Sequence, residues 1–228
     1  SLLKDFKATR ECMSHALELD SELVPAKRYL ADALQGLHKH MEAVHFYDEF
    51  FNDFPKYYGR VLNQDGALPD FAGKMTKVDS EALLADVIFS RGRSYFAMME
   101  YGKDFAKEDF KSVVRLNSKH KAHSLLYLGM LEYRGSDYWK AIKYYDLALQ
   151  TGPAHWMMYK ERAGAWKALG KEERAADDER HAHVLKRQLH WSNQLESQEN
   201  PQQAPEFNME KYLEKGIVSR PDGSEKPL

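Results

Sequence analysis

The sequence is poor in cysteine, in long apolar stretches and in excess charge of either sign. Cys12 is the only cysteine among 228 residues, so no disulfide forms within the chain, and a reducing, cytoplasmic location is expected. No run of about 18 apolar residues occurs, which predicts no membrane-spanning helix. Lysine and arginine total 33 against 35 aspartates and glutamates, so the basic excess of a general nucleic-acid binder is missing. We therefore expect a soluble, folded chain that does not bind nucleic acid.

Sequence patterns that carry chemistry are missing too. There is no G-x-S-x-G, Walker A or G-x-G-x-x-G motif. His38 and His40 are two residues apart, as are His181 and His183. That spacing places side chains about 200° apart on a helix, so neither pair chelates a metal alone. Cys12 lies among small and apolar residues, which favours a packed thiol. The sequence therefore predicts no enzyme, with no catalytic residue, no metal site and no cofactor.

What the sequence does contain is a repeat of small and large residues with a period of 34 positions. Three pairs of small residues share that spacing: Gly129 with Ala163, Ala141 with Ala175, and Ala148 with Ala182. Thr9 precedes Ala43 by the same distance. Two antiparallel helices approach closely where small residues meet large ones that fill the adjoining space. Gly129 and Tyr145 are such a small and large pair, which predicts packed helical hairpins.

In these positions the sequence resembles the tetratricopeptide repeat (TPR) family of helical-repeat proteins. The resemblance covers most of residues 4–187. It implies an all-α fold, a right-handed superhelical solenoid of antiparallel helix pairs. About four whole repeats follow a partial N-terminal one, with the expected bounds 4–21 for the partial repeat, then 24–55, 82–118, 122–153 and 156–187. Phe50 and Glu179 depart from the family pattern, which has alanine and an aromatic residue at these two positions.

The array is expected to occupy residues 1–198 and to be interrupted once. Pro55 should end the second helix of its repeat, because proline cannot continue a helix. Residues 56–79 then form a non-repeat insert, which contains Gly59, Gly66, Pro69 and Gly73. Long segments of this kind either pack locally on the surface or take part in function. The insert is therefore expected to pack against the array or to fold over a binding groove.

The C-terminal part of the array is expected to be capped. A lengthened turn is predicted at 99–103, and a long final helix should run to about residue 198 and cover the open end of the array. Residues 199–228 form a polar tail with four prolines. This tail is expected to be partly disordered or to dock through its apolar residues, Phe207, Tyr212, Leu213 and Ile217.

The resemblance further implies that the first helix of each hairpin lines a concave groove. The side chains expected to point into the groove are Arg28, Phe89, Arg93, Phe96, His123, Leu126, Met130, Tyr133, Met157, Lys160 and Lys167. The middle of this set is apolar and aromatic, and cations stand at both ends. Such a surface favours a peptide or helix with apolar anchors and acidic character. The alternative is that Phe89, Phe96 and Leu126 pack between neighbouring helices and meet no ligand.

One activity of the family is not expected here. Chaperone-binding members clamp a C-terminal carboxylate with lysine and asparagine side chains. The matching positions lack the asparagines, and Asp32 would repel a carboxylate. RNA-binding helical repeats are opposed by the near-neutral charge.

We interpret the chain as a protein-interaction scaffold or adaptor. It begins without methionine inside a predicted helix, so we expect a piece of a longer protein. The main alternative is therefore a regulatory or substrate-recruiting module of a larger enzyme whose catalytic part lies elsewhere. An enzyme built on the helical array itself is a third, weaker hypothesis.

Overall fold

The structure, a computed structural model, describes residues 2–63, 77–116, 118–199, 217–219 and 225–227. The helices of these residues are α1 (Leu2–Leu19), α2 (Val24–Gly36), α3 (His40–Asn63), α4 (Lys77–Ala97), α5 (Lys103–Arg115), α6 (Lys121–Arg134), α7 (Tyr138–Thr151), α8 (Trp156–Ala168) and α9 (Glu172–Glu199). A 3-10 helix at Met99–Gly102 joins α4 to α5. The two short strands β1 (Ile217–Ser219) and β2 (Glu225–Pro227) pair antiparallel, with Val218 opposite Lys226. Every other element in the described part of the chain is helical, which confirms the predicted all-α class.

The chain divides into two compact units. The first, Ser1–Ala148, contains α1 to α6 and most of α7. The second, Leu149–Leu228, contains the end of α7 together with α8, α9, β1 and β2. In the first unit each helix from α1 to α5 packs against the next, and in the second unit α8 packs against α9. The predicted right-handed superhelix concerns the whole array and stays a prediction.

The small and large pair identified in the sequence packs as expected. Tyr145 of α7 and Ala141 are fully buried. A Cβ atom added at Gly129 of α6 would overlap with the ring of Tyr145. Glycine is therefore required here so that the two helices of this hairpin can approach each other.

The core between α2, α3 and α4 absorbs one departure from the family pattern. Phe50 stands where the pattern has alanine, and its side chain is fully buried. Its ring lies 5.6 Å from that of Phe51 and 5.4 Å from that of Phe54, measured between centroids. Tyr47 and Leu34 belong to the same cluster. The extra volume at this position is thus taken up by an aromatic cluster on α3.

Ion pairs tie consecutive helices together within each unit. Arg91 of α4 donates two hydrogen bonds to Asp109 of α5, at 2.9 and 2.7 Å, and a third to Asp48 of α3, at 2.7 Å. In the second unit, Arg162 of α8 binds Asp178 of α9 in the same two-pronged way, at 2.8 and 2.6 Å. Two parallel hydrogen bonds between a guanidinium and a carboxylate fix orientation as well as distance.

The bounds of three elements compare with prediction as follows. The 3-10 helix at Met99–Gly102 confirms the lengthened turn, and α9 confirms the long final helix by reaching Glu199. By contrast, α3 does not end at Pro55 but continues to Asn63, and α4 already begins at Lys77. An interior proline removes one helical hydrogen bond and crowds the preceding turn, and in α3 this cost does not end the helix. Both helices extend into the ends of the predicted insert, and residues 64–76 lie outside the described residues.

Three smaller points complete the fold. Cys12 is exposed, so the expectation of a packed thiol is wrong. The next residue, Met13, packs against the core of α2 and α3, whereas position 12 lies on the exposed side of α1. Of the predicted docking residues of the tail, Phe207, Tyr212 and Leu213 lie outside the described residues. Among the described helices, none has a stretch long and apolar enough to cross a membrane.

Candidate functional site

The predicted groove residues of the first unit fall on three helices, α2, α4 and α6. Each helix contributes a stripe with the spacing i, i+4 and i+7, or close to it, and such positions share one helix face. The stripes are Arg28, Asp32 and Gln35 on α2, then Phe89, Arg93 and Phe96 on α4, then His123, Leu126, Met130 and Tyr133 on α6. We call these residues the first-helix surface. Contacts between the stripes join α2 to α4 and α4 to α6.

The α2 and α4 stripes are joined by hydrogen bonds. The side-chain nitrogen of Gln35 donates to the backbone oxygen of Ser90 at 2.5 Å and to the hydroxyl of Ser94 at 2.8 Å. On the same face of α2, Asp32 accepts a hydrogen bond of 2.6 Å from Tyr47 and lies 3.6 Å from Arg28. Burial raises the pKa of Asp32, against the opposing effects of Tyr47 and Arg28. These bonds hold the two helices in one fixed relation.

The α4 and α6 stripes are joined by aromatic packing. The ring of Phe89 stacks on that of His120 with the centroids 4.4 Å apart, and the ring of Tyr127 lies 6.0 Å away. Phe89 is only 8% exposed and Leu126 only 3%. At these two positions the geometry favours packing between helices, the alternative that the sequence left open. They can offer a partner little more than the edges of their side chains.

The remaining apolar members of the surface are half-buried. The ring of Phe96 lies 4.9 Å from that of Tyr127. The guanidinium carbon of Arg134 lies 3.9 Å from the centroid of the Phe96 ring. Tyr133 packs edge-on against Tyr138 of α7, at 5.4 Å. Sequence reasoning did not single out Arg134. Arg134 lies four residues after Met130 and therefore on the same face of α6. This spacing could have predicted that Arg134 belongs to the surface.

Arg93 is the exposed cation of this surface. Among the described residues it forms no salt bridge and no hydrogen bond. Its positive charge nevertheless acts on Asp32 of α2, on His40 at the start of α3 and on His123 of α6. The pKa of His123 lies below its usual value because the imidazole is partly buried and because Arg93 is close. The pKa of His40 is lowered by burial and by the charges of His38 and Arg93.

Asp86 is a second residue that sequence reasoning missed. It lies three residues before Phe89 on α4. Its carboxylate pairs with the ammonium of Lys119 at 3.1 Å and with the imidazole of His120 at 2.9 Å. Burial lowers the pKa of His120 and outweighs the opposite effect of Asp86. The 3.6-residue period of a helix does not connect Asp86 with a turn residue 34 positions later. Only the 34-residue period of the repeat could have suggested this pair.

The other predicted groove residues lie on α8, in the second unit, and are described with that unit alone. Met157 is half-buried, and the exposed Lys160 stands 6.0 Å from the ring of Trp156. Lys167 pairs with Glu179 of α9 at 2.6 Å. This pair gives a role to Glu179, which departs from the family pattern. An open cavity of about 430 Å³ lies between α8 and α9 and is lined by Tyr159, Val184 and Leu185 among others.

A metal centre finds no support in the part of the chain that the structure describes. No three histidine, cysteine, aspartate or glutamate side chains come together there in a group that could hold an ion. The titratable residues of the first-helix surface are instead paired, stacked or exposed singly. The arrangement offers charge and shape to a partner.

Comparison with known proteins identifies the fold. No family model matches the chain. No curated protein matches it either. A crystal structure of MamA superposes with a TM-score of 0.59 at 16% identity, over 81% of this chain and 91% of that one. A crystal structure of YrrB, described as a TPR protein with an unusual peptide-binding site, has a TM-score of 0.54 at 13% identity, over 78% of this chain and 77% of that one. The chain has a TPR-type fold.

The TPR fold fits the helix order observed here. A second crystal structure of MamA superposes with a TM-score of 0.56 at 17% identity, over 78% of this chain and 81% of that one. At such identities the likeness concerns the path of the backbone. Which side chains work, and on what, has to come from the surface itself.

Proposed function

We propose that this TPR-fold chain is a protein-interaction scaffold that holds a peptide or helix of a partner along the first-helix surface. The observation that carries the proposal is Arg93, an exposed cation without an ion pair among the described residues, between two stripes of fixed side chains. A protein gains nothing in stability from an exposed charge that it leaves unpaired. Such a residue at the centre of a shaped surface is suited to recognition.

The rigidity of the surface supports the proposal. Gln35 ties α2 to α4 through Ser90 and Ser94, and the stacked rings of Phe89 and His120 tie α4 to the start of α6. A surface that is already ordered does not lose conformational freedom when a partner binds. The binding energy of a short segment is then not spent on ordering the scaffold.

The burial of Phe89 and Leu126 supports contact with a partner through the other side chains of the surface. These two side chains form the floor, whereas Arg93, His123 and the half-buried Met130 remain accessible. A partner's apolar side chains would contact Met130 and the edges of Phe96. The alternative function, a recruiting module of a larger enzyme, uses the same surface and differs only in what is attached to the chain.

The experiment is a quantitative affinity purification from native lysate with the full chain as bait. The test variant carries Arg93→Glu and Met130→Glu. The matched control carries Lys143→Glu and Leu147→Glu on α7, where Lys143 is exposed and Leu147 is 47% exposed. Each variant replaces one cation and one apolar residue with glutamate, and circular dichroism confirms that both are folded.

The expected result is a set of proteins retained by the native chain and by the control but lost with the test variant. Retention of the same proteins by all three baits would overturn the proposal. The opposite faces of the helices, the second unit or the tail would then have to carry any interaction.

A further inference from the structure

The charges of the first-helix surface are not balanced among themselves. Among the described residues, one carboxylate, Asp32, belongs to it, and a second, Asp86, lies one turn before Phe89 on α4. Asp32 already has Arg28 at 3.6 Å and the hydroxyl of Tyr47 at 2.6 Å. Asp86 already has Lys119 at 3.1 Å and His120 at 2.9 Å. Both acidic groups therefore already have closer partners, and Arg93 forms no ion pair with any residue that the structure describes.

Neither carboxylate is free to turn towards Arg93. Asp32 is held by a buried tyrosine, since Tyr47 is fully buried, so leaving it would leave the Tyr47 hydroxyl without this partner. Asp86 is held from two sides by Lys119 and His120. The positive charge of Arg93 is consequently a fixed property of the surface and not an accident of side-chain rotation.

Arginine is suited to bind a carboxylate from outside. Its planar guanidinium presents two parallel donors that match the two oxygens of a carboxylate. Arg91, two residues before Arg93 on α4, binds Asp109 of α5 in this way. The charge of Arg93 lowers the pKa of His123, and even a neutral imidazole carries one N–H donor. The surroundings of Arg93 therefore fit an anion better than a neutral or a basic group.

We propose that the segment held by the first-helix surface is acidic, and that one of its carboxylates pairs with Arg93 while its apolar side chains contact Met130 and Phe96. This proposal rests on the proposed function and names the chemistry of its partner. The apolar contacts supply area, and the pairing with Arg93 selects the register and excludes basic segments. Glutamate or aspartate next to leucine-like residues is the expected composition of the bound segment.

The test measures binding of three labelled synthetic peptides to the full chain by fluorescence anisotropy. The first is a short helical peptide of glutamate, leucine and alanine. In the second every glutamate is replaced by glutamine, and in the third by lysine. Each peptide is tested against the native chain, against Arg93→Glu and against the control Lys143→Glu.

The native chain and the control are expected to bind the acidic peptide at least about tenfold more tightly than the glutamine peptide. Arg93→Glu should abolish this preference and bind the lysine peptide more tightly than the native chain does. That reversal cannot come from misfolding, because an unfolded variant would lose all three peptides.

Two results would overturn the proposal. In one, the native chain binds the acidic and the glutamine peptide alike, while the purification from lysate still depends on Arg93 and Met130. The proposed function would then stand, and only the acidic chemistry would fail. In the other, no peptide binds the native chain, as would happen if another part of the chain already covered the surface.

Discussion

Two arginines on α4, only two residues apart, behave in opposite ways. Arg91 points into the junction with α3 and α5, where it satisfies Asp109 and Asp48 and lies 4.5 Å above the ring of Phe51. Arg93 points to the first-helix surface and pairs with none of the described residues. Because side chains two apart on a helix are about 200° apart, one helix carries a structural arginine on one side and an exposed one on the other.

This contrast separates what holds the hairpins together from what the protein presents to others. Asp109 is only 6% exposed, so its charge has to be compensated inside the fold. Burial of Arg91 opposes its charged form, yet the hydrogen bonds to Asp109 and Asp48 raise its pKa above the ordinary value. The charge of Arg93 is solvated and needs no such partner. The same residue type therefore has an energetic role in one place and, under the proposed function, a recognition role in the other.

The largest effect is expected from removing the buried arginine. Arg91→Ala leaves Asp109 as an unpaired buried carboxylate, and breaking a buried pair in this way costs about 3 kcal/mol or more of unfolding free energy. Arg93→Ala should change the same quantity by no more than about 0.5 kcal/mol, because exposed sites away from packing contribute little. Urea unfolding followed by circular dichroism measures both. Equal losses for the two variants would show that the division of α4 into two sides is wrong.

The packing between helices can also be tested on α6, where the expected loss of unfolding free energy is smaller. Gly129→Ala places a methyl group against the ring of Tyr145 and should cost about 1–3 kcal/mol through overpacking, although alanine favours helix. The control is Gly135→Ala at the end of α6, where the added atom would lie 3.4 Å from the nearest backbone oxygen. That control should be close to neutral in urea unfolding. A stabilised Gly129→Ala would mean that α6 and α7 can separate without cost.

The sequence predicts the packing between the two helices of a hairpin better than it predicts the first-helix surface. The close contact of Gly129 with Tyr145 was predictable, because packing small against large at a fixed period leaves a mark in every repeat. The burial of Phe89 was not, because an aromatic residue on a first helix can face a neighbour or a ligand with the same spacing. What decides it is the ring of His120, which lies in the turn before α6, where periodicity carries no information.

The continuation of α3 past Pro55 was unforeseeable for a similar reason. A proline is a strong local signal for a helix end, but its cost is limited and the remaining helix contacts can outweigh it. Arg93 was named from the repeat pattern, while its lack of an ion pair depends on what Asp32 and Asp86 do instead. Sequence spacing gives the face on which a side chain lies, and only the structure gives its partners.

Acid should lower the unfolding free energy of the chain. His40, His120 and His123 all have lowered pKa values in the folded chain, chiefly because of burial. The unfolded chain therefore binds more protons than the folded chain as the pH falls below about 6.5, and the unfolding free energy falls with it. For His40 the cause is concrete, since its buried Nδ1 has no hydrogen-bond partner in the described part of the chain. Urea unfolding at steps between about pH 7.5 and 5 measures the slope, and a rising stability over that range would contradict it.

The smallest expected effect isolates the charge of Arg93 itself. Arg93→Gln keeps the length and polarity of the side chain approximately but removes the positive charge that lowers the pKa values of His123 and His40. Both values should therefore move upward, and the loss of stability in acid should become shallower, since the folded chain then takes up protons more readily. Titration of the imidazole resonances by NMR measures the two pKa values directly. Lys143→Gln on α7 is the control and should leave both where they are. If Arg93→Gln left the two pKa values unchanged, the guanidinium would not be close to these imidazoles. The exposed side of α4 would then lack the localised charge on which its contrast with Arg91 depends.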